Sequence, residues 1–267
     1  MAQDIVLNHH SAGLLPFHVD LEGKVHLILE EKDKGYKSPF FDNGLNFLGG
    51  NWEKGVHPDA STRELLSREI EEEFWIKFEP TESLNALLGQ EFLEREPEVA
   101  AKYDNASVQK IRQISAIIRS DIRLTGSYVM TVQPPITKSE LVYGSTIFTT
   151  CLSAENFMHI ENVLKEFDGK VTTDNLKWGS RIVSTTLQEI NLHNRKFAWG
   201  YCHVVNELVS SGYDFFKPGV IRPLRLMHLS PMKYRPAEES SEAKIEAGPA
   251  FKDFEAAGYK YLEKQKD

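Results

Sequence analysis

The sequence has little cysteine, no excess of positive charge and no long hydrophobic run. Its two cysteines, Cys151 and Cys202, form neither a disulfide framework nor a zinc-site pattern, which predicts a reducing compartment. Lysine and arginine total 31 against 39 acidic residues, a net charge of -8, which argues against nucleic acid or an anionic membrane as the main partner. No segment has the length of a membrane span and the N-terminal residues lack a leader pattern, so we expect a cytoplasmic protein.

What the chain does have is the composition of an ordinary globular protein. Its 267 residues, 41% hydrophobic and 26% charged, can bury a sizeable core. We expect one domain over residues 1–235, with a helical insert at about 81–126. Residues 236–267 are polar and rich in Ala, Glu and Lys, which predicts a tail or a peripheral helix.

Strand-like and helical patterns interleave along the chain without a regular βαβ period. The strand patterns cover 24–32, 127–133, 141–152 and 181–190, the last as a strand or a strand and turn, and the helical patterns cover 61–74, 153–167 and 195–210. In the insert, one amphipathic stripe consists of Val108, Ile111, Ile114 and Ile118. These patterns predict an α+β sandwich rather than a Rossmann sheet.

The stretch REIEEEFWI, residues 68–76, places a run of glutamates on a predicted helix. Ser61 and Glu64 form a capping box that starts this helix near residue 61. Its apolar stripe consists of Leu66, Ile70 and Phe74, and the carboxylates on one flank of that stripe are those of Glu69, Glu72 and Glu73. Arg68 is one turn before Glu72, close enough to orient it.

The glutamates have two interpretations. An acidic run on a helix is commonly a solvated face. Carboxylates that converge beside a buried edge instead need a cation to neutralise them, and carboxylate oxygens are ligands that Mg²⁺ and Mn²⁺ prefer. The double glycine Gly49-Gly50 upstream of the helix could mark any tight turn, and it bears on this choice through a family resemblance.

Together, the glycines and the glutamates resemble the signature of the Nudix hydrolase superfamily. The stretch GGNWEKG, residues 49–55, is similar to the family's glycine loop, with Gly50 as the opening glycine. The second half of the signature is matched by Arg68, Glu69, Ile70, Glu72, Glu73 and Ile76. The stretch NRKFAWGYCHVVNELV is similar to the helix that often closes the domain, so the resemblance spans roughly residues 20–210.

The chain departs from the family pattern at three places. Val56 stands where the family has a glutamate, and Trp75 stands where it has the glycine that follows the paired glutamates. Four extra residues around 57–60 separate the loop from Arg68. None of these departures removes a carboxylate of the helix.

The resemblance implies a Nudix-type α/β/α sandwich with a mixed sheet and an extra helical insertion. It implies a Mg- or Mn-dependent hydrolase that cleaves the diphosphate linkage of a nucleoside diphosphate derivative, a nucleotide-derived small molecule. Carried over by position, Glu69, Glu72 and Glu73 are catalytic and bind metal with the Gly50 carbonyl, and Arg68 holds a glutamate in place.

Further expectations concern the base, the assembly and the alternative function. One glutamate, or Asp174 from a later loop, is the candidate general base. Many Nudix proteins are dimers, which is the ground for considering a homodimer. The alternative, motivated by Val56, Trp75 and the inserts, is a catalytically inactive Nudix-like module that binds a nucleotide or a protein partner.

Overall fold

The computed structural model describes the elements that form one large sheet and its flanking helices. It describes residues 5–7, 9–34, 43–51, 59, 61–72, 74–76, 105–132, 141–167, 171–172, 180–193, 195–197, 201, 204–205, 208, 224–232 and 259–261. The strands are β1 (Ile5–Leu7), β2 (His9–Val19), β3 (Val25–Lys32), β4 (Leu45–Asn46), β5 (Leu48–Asn51), β6 (Trp75–Ile76), β7 (Arg123–Val132), β8 (Leu141–Cys151), β9 (Val171–Thr172), β10 (Ser180–Thr186), β11 (Leu224–Met232) and β12 (Tyr259–Tyr261). The helices are α1 (Thr62–Glu72), α2 (Asn105–Arg119), α3 (Ala154–Glu166) and α4 (Leu187–Leu192).

The large sheet is mixed in direction. Its strands follow the order β10-β3-β2-β8-β7-β11, with β4 paired to β3 and β5 paired to β2. The pairs β2–β8 and β7–β11 are parallel, whereas β3 pairs antiparallel with both β10 and β2. Helices pack on both faces, which confirms the predicted α+β class with a mixed sheet.

The central strands are buried on both faces, because successive side chains point to opposite sides of the sheet. In β3, Ile28 packs in a core with residues of α1, α2 and α3, on what we call the α1 face. Leu27 and Leu29 pack with residues of α4, on what we call the α4 face. The α4 face also receives four helical residues that the sequence predicted to be inward: Tyr201, Val204, Val205 and Leu208.

Several predicted elements need correction. Residues 123–126 are the start of β7, although the sequence predicts helix up to residue 126. The predicted strand or strand and turn over 181–190 ends as a strand at Thr186, and the helix Leu187–Leu192 begins inside the predicted range. Tyr259–Tyr261 pairs as a strand with β1, where a tail or a helix was predicted. Phe197 forms an isolated bridge with Leu45 rather than a helical turn. Strand pairing between distant segments decides three of these four cases, and local sequence does not reveal it.

The helical insert is described in its C-terminal part. There, α2 buries Ile111, Ile114 and Ile118 of the predicted stripe, and the side chain of Val108 lies outside the described residues. Ser115 on α2 donates a hydrogen bond to the carbonyl of Ile70, 2.8 Å away, which ties the insert to α1. No helix in the described part of the chain is long and apolar enough to cross a membrane.

Asp20 closes the β2–β3 hairpin and makes it sensitive to acid. Its carboxylate accepts hydrogen bonds from the backbone N–H groups of Glu22 and Lys24, at 2.9 and 2.8 Å, and lies 3.0 Å from His26 Nε2. The hydrogen bond with His26, and then that with Lys24, lowers the pKa of Asp20 below its ordinary 3.8. A carboxylate with a lowered pKa stabilises the fold above its unfolded-state pKa, and this stabilisation is lost as pH falls through the folded-state pKa.

We therefore expect Asp20→Asn to lower the melting temperature near neutral pH. The difference from the unsubstituted protein should shrink as the pH falls below 3.8, because both proteins then carry a neutral side chain at this position. Thermal melts over a series of pH values measure it. A difference that persists unchanged into strong acid would contradict the assigned role of Asp20.

Candidate active site

Two consecutive glycines of β5 lie against α1. Gly49 is opposite Gly13 of β2, and Gly50 is opposite Ala12. Gly49 has a φ of 125°, and a Cβ there would overlap the carbonyl oxygen of Ala12 and lie 3.2 Å from Leu66 Cδ1. Position 49 therefore requires glycine, and α1 approaches the strand closely at this point.

Gly50 makes room for a carboxylate. A Cβ at position 50 would overlap the side-chain carboxylate of Glu69, which therefore lies directly on the Gly50 backbone. Gly50 belongs to the glycine loop of the sequence and Glu69 to the acidic helix. The structure thus brings together the two motifs that the sequence resemblance joined.

The sequence around α1 explains how the helix is held in this position. Ser61 Oγ accepts a hydrogen bond from the Glu64 N–H, 3.2 Å away, and the helix begins at Thr62 as the capping pattern predicted. The stripe predicted to be inward is buried in the core of the α1 face: Leu66, Ile70 and Phe74. This anchored apolar stripe sets the side of α1 on which the Glu69 carboxylate reaches β5.

Arg68 bridges two carboxylates at the edge of this site. Its guanidinium donates to Asp59, with Nη2 at 2.8 Å and Nε at 3.2 Å from Oδ2, and Nη1 lies 3.0 Å from Glu69 Oε1. The planar guanidinium suits such a two-sided contact, which a lysine could not reproduce. Arg68 therefore holds Glu69 in position. Its predicted contact with Glu72 involves a side chain outside the described residues and stays a prediction.

Asp59 is a member of the site that the sequence did not single out. It lies among the four extra residues 57–60 that separate the glycine loop from Arg68 in the sequence. Its side chain is only 7% exposed and accepts both hydrogen bonds described above from Arg68. A lone aspartate in a predicted loop gives no signal of such a contact, because the contact depends on how the loop returns to the helix.

The end of α1 explains how the chain tolerates Trp75 in place of the family's glycine. The residue with a positive φ is Phe74, at 71°, and Trp75 already belongs to β6, where it pairs with Thr172 of β9. A non-glycine residue in this conformation costs about 1–2 kcal/mol. Phe74 is fully buried, and burial of a phenylalanine side chain stabilises by a similar or larger amount.

Aromatic, thiol and acidic residues elsewhere in the chain are further candidates for a role in the site. Phe47 stacks on Tyr201, with ring centroids 4.2 Å apart, and is therefore part of the core rather than a base-stacking residue. Burial raises the pKa of the Cys151 thiol, although Arg123 acts in the opposite direction, so this thiol has no nucleophilic activation. The side chain of Glu72 and the whole of Glu73, Val56, Asp174 and Cys202 lie outside the described residues.

The described residues supply part of the set of oxygen donors that a divalent metal site needs. Across the described ranges, no group of three or more His, Cys, Asp and Glu side chains is placed to hold a metal ion. Glu69 does present its carboxylate at the Gly50 backbone, in a space that a Cβ would fill. The helix bounds put Glu72 three residues after Glu69 and hence on the same side of α1. Carboxylate and carbonyl oxygens are donors that suit Mg²⁺ and Mn²⁺.

For the hydrolysis that the sequence resemblance implies, we expect Asp59→Asn to slow the rate by about tenfold, because the loss of one charge loosens the Arg68 fork that holds Glu69. Arg68→Lys should have a comparable effect, and the double variant should be less impaired than the product of the two single effects. Steady-state rates of the three variants measure this. The matched control is Asp121→Asn, which breaks an exposed ion pair with Arg123. An Asp59→Asn rate equal to that of the control would contradict the assigned role.

Comparison with known proteins gives only distant similarities. No family model matches the chain, and no curated protein matches it. The Nudix domain of Shewanella oneidensis NrtR, complexed with ADP ribose, gives a TM-score of 0.41 at 8% identity over 79% of this chain and 90% of that one. The M. smegmatis Nudix hydrolase RenU gives a TM-score of 0.34 at 10% identity over 77% of this chain and 88% of that one. A Nudix hydrolase from Alicyclobacillus acidocaldarius gives a TM-score of 0.29 at 14% identity over 57% of this chain and 72% of that one.

All three solved structures are Nudix proteins, the family that the sequence resembles. TM-scores below 0.5 support no inference from those proteins to this chain. The functional assignment therefore depends on the chain's own residues.

Proposed function

We propose that the chain is a Mg- or Mn-dependent hydrolase that cleaves the diphosphate linkage of a nucleoside diphosphate derivative. The observation that supports it most is the contact between the Glu69 carboxylate and the Gly50 backbone. A carboxylate held by a partly buried ion pair against a glycine is positioned rather than fully solvated. A solvated acidic face, the other interpretation of REIEEE, needs neither the glycine nor the ion pair.

The metal-binding oxygens in this proposal are the Gly50 carbonyl and the carboxylates of Glu69, Glu72 and Glu73. When bound there, a divalent cation neutralises the diphosphate, polarises the phosphorus and lowers the pKa of water. The chain has a net charge of -8, so its acidic helix would otherwise repel an anionic substrate.

The chain's own residues then supply orientation and proton transfer. Arg68 and Asp59 fix the direction of the Glu69 carboxylate, and the absence of a side chain at Gly50 leaves the space in which that carboxylate lies. One carboxylate of α1 takes the proton of the attacking water as the new P–O bond forms and the bridging P–O bond breaks. The leaving phosphate keeps the bridging oxygen together with the electron pair of the broken bond, and therefore departs with one more negative charge.

The test is a hydrolysis assay with a panel of diphosphate compounds. ADP-ribose, NADH, dinucleoside polyphosphates and nucleotide sugars are incubated with the purified protein and Mg²⁺ or Mn²⁺, and ³¹P NMR follows the loss of the diphosphate signal. We expect cleavage of at least one compound, and complete loss of cleavage after chelation with EDTA. Calorimetric binding of a panel compound that is unaffected by EDTA, with no product formed, would instead support the inactive binding module.

A further inference from the structure

Three buried polar side chains form a cluster on the α1 face, where β3 pairs with β4. Glu30 is 3% exposed, and Lys32 and Asn46 are each 7% exposed. Glu30 and Asn46 are directly opposite each other in the antiparallel register, so their side chains share one face. Buried ionisable and amide groups are costly unless each polar atom has a partner.

Hydrogen bonds fix the orientation of the Asn46 amide. Lys32 Nζ donates to Glu30 Oε1, and Asn46 Nδ2 donates to Glu30 Oε2 at 2.9 Å. The neighbouring ammonium favours the ionised carboxylate, which can only accept hydrogen bonds. The amide nitrogen of Asn46 must therefore face Glu30, and its oxygen must face away from it.

The amide oxygen that results has no hydrogen-bond partner. Asn46 Oδ1 is buried, and in the described part of the chain nothing donates to it. A buried acceptor without a donor destabilises the protein, and a ligand with an N–H or O–H group would remove this cost. Such an oxygen therefore discriminates between ligands, because a ligand that lacks the donor leaves the oxygen without a hydrogen bond.

The position of Asn46 relates this oxygen to the candidate active site. Asn46, Leu48 and Gly50 are every second residue of one extended segment. In this segment Leu45 and Phe47 point to the α4 face, and Leu48 points to the α1 face. Asn46 therefore lies on the same side of the sheet as the carboxylate that covers Gly50. At about 3.3 Å per residue, the two positions are roughly 13 Å apart, a span that an extended nucleoside diphosphate derivative can bridge.

We propose that Asn46 Oδ1 accepts a hydrogen bond from the nucleoside part of the substrate whose diphosphate binds at Gly50 and Glu69. The donor is an N–H of the base or an O–H of the sugar. Glu30 and Lys32 act as positioning residues, because they fix the direction of the amide. This inference rests on the proposed function for the class of ligand.

The experiment combines changes in the protein with changes in the ligand. Calorimetry without metal first ranks AMP, GMP, CMP and UMP. The tightest of them is compared with analogues that each lack one donor of the nucleoside: the base amino group, the ring N–H, the 2′-hydroxyl or the 3′-hydroxyl. In the unsubstituted protein we expect removal of the donor to weaken binding by about tenfold. In Asn46→Leu, binding of the complete nucleotide should be about tenfold weaker, and removal of the donor should have no further effect.

The matched control is Asn191→Leu, the same chemical change at an exposed position of α4. If Asn46→Leu abolishes the affinity penalty for removing the amino or N–H group, the donor belongs to the base. If it abolishes the penalty for removing the 2′- or 3′-hydroxyl, the donor belongs to the sugar. Equal affinities for complete and donor-lacking ligands in the unsubstituted protein would overturn the inference. This comparison needs no variant and so remains valid if Asn46→Leu fails to fold. A penalty that survives in a folded Asn46→Leu would overturn it too.

Failure of this inference is distinguishable from failure of the proposed function. Hydrolysis with the same KM in Asn46→Leu as in the unsubstituted protein would overturn the role of Asn46 and leave the hydrolase intact. Donor-dependent nucleotide binding in a protein that hydrolyses nothing would overturn the hydrolase and support the role of Asn46.

Discussion

Glu69→Gln is expected to lower the rate of diphosphate hydrolysis by on the order of a hundredfold or more. The substitution keeps the size of the side chain, but it removes the charge that Arg68 holds and that a divalent cation would need. The apparent Mg²⁺ concentration for half-maximal activity should rise, since one anionic donor is lost. Rates measured across a Mg²⁺ titration give both quantities.

The same loss is expected for Glu72→Gln and Glu73→Gln. The control is Glu155→Gln, at an exposed position in the first turn of α3. Thermal melts of every variant separate lost chemistry from lost folding. A folded Glu69→Gln protein that turns over at the control rate would refute the metal-binding assignment, and unaltered rates in folded Glu72→Gln and Glu73→Gln would refute the use of the acidic helix in catalysis.

The helix and its carboxylates could be predicted from the sequence because their signals are local. The capping pattern at Ser61 and the spacing of Leu66, Ile70 and Phe74 depend only on neighbours within a few turns, and the structure confirms each of them. The metal ligands remain a prediction, since the described residues include the side chain of Glu69 alone among the three glutamates.

Contacts between distant segments could not be predicted in the same way. Asp59 becomes part of the site through its ion pair with Arg68, nine residues away in the sequence, and Asn46 is placed beside Glu30 by strand pairing. The family pattern has its glycine at the position of Trp75, but the residue with a positive φ is Phe74. Burial of the Phe74 ring offsets the cost of that backbone conformation. Each of these features depends on tertiary packing, which overrides local preference.

Substitution by alanine should affect the free energy of unfolding strongly at one of the two adjacent glycines and weakly at the other. Gly49→Ala is expected to lower the free energy of unfolding by about 3 kcal/mol or more, because it combines a strained φ with overlap against the backbone carbonyl of Ala12. Gly50→Ala should remain within about 1 kcal/mol of the unsubstituted protein, because the three atoms nearest to the new methyl all belong to the movable end of the Glu69 side chain. Urea unfolding of both variants measures the difference.

Gly50→Ala should nevertheless lose activity by about a hundredfold, since a carboxylate displaced by even an ångström no longer meets the reacting group. Glu69→Asp, which is one methylene shorter, should restore part of that activity in the Gly50→Ala background while reducing activity on its own. This rescue requires that the methyl and the carboxylate compete for one space. A Gly50→Ala protein with normal turnover would mean that the Glu69 carboxylate acts from elsewhere, and the contact that supports the proposed hydrolase would then be incidental.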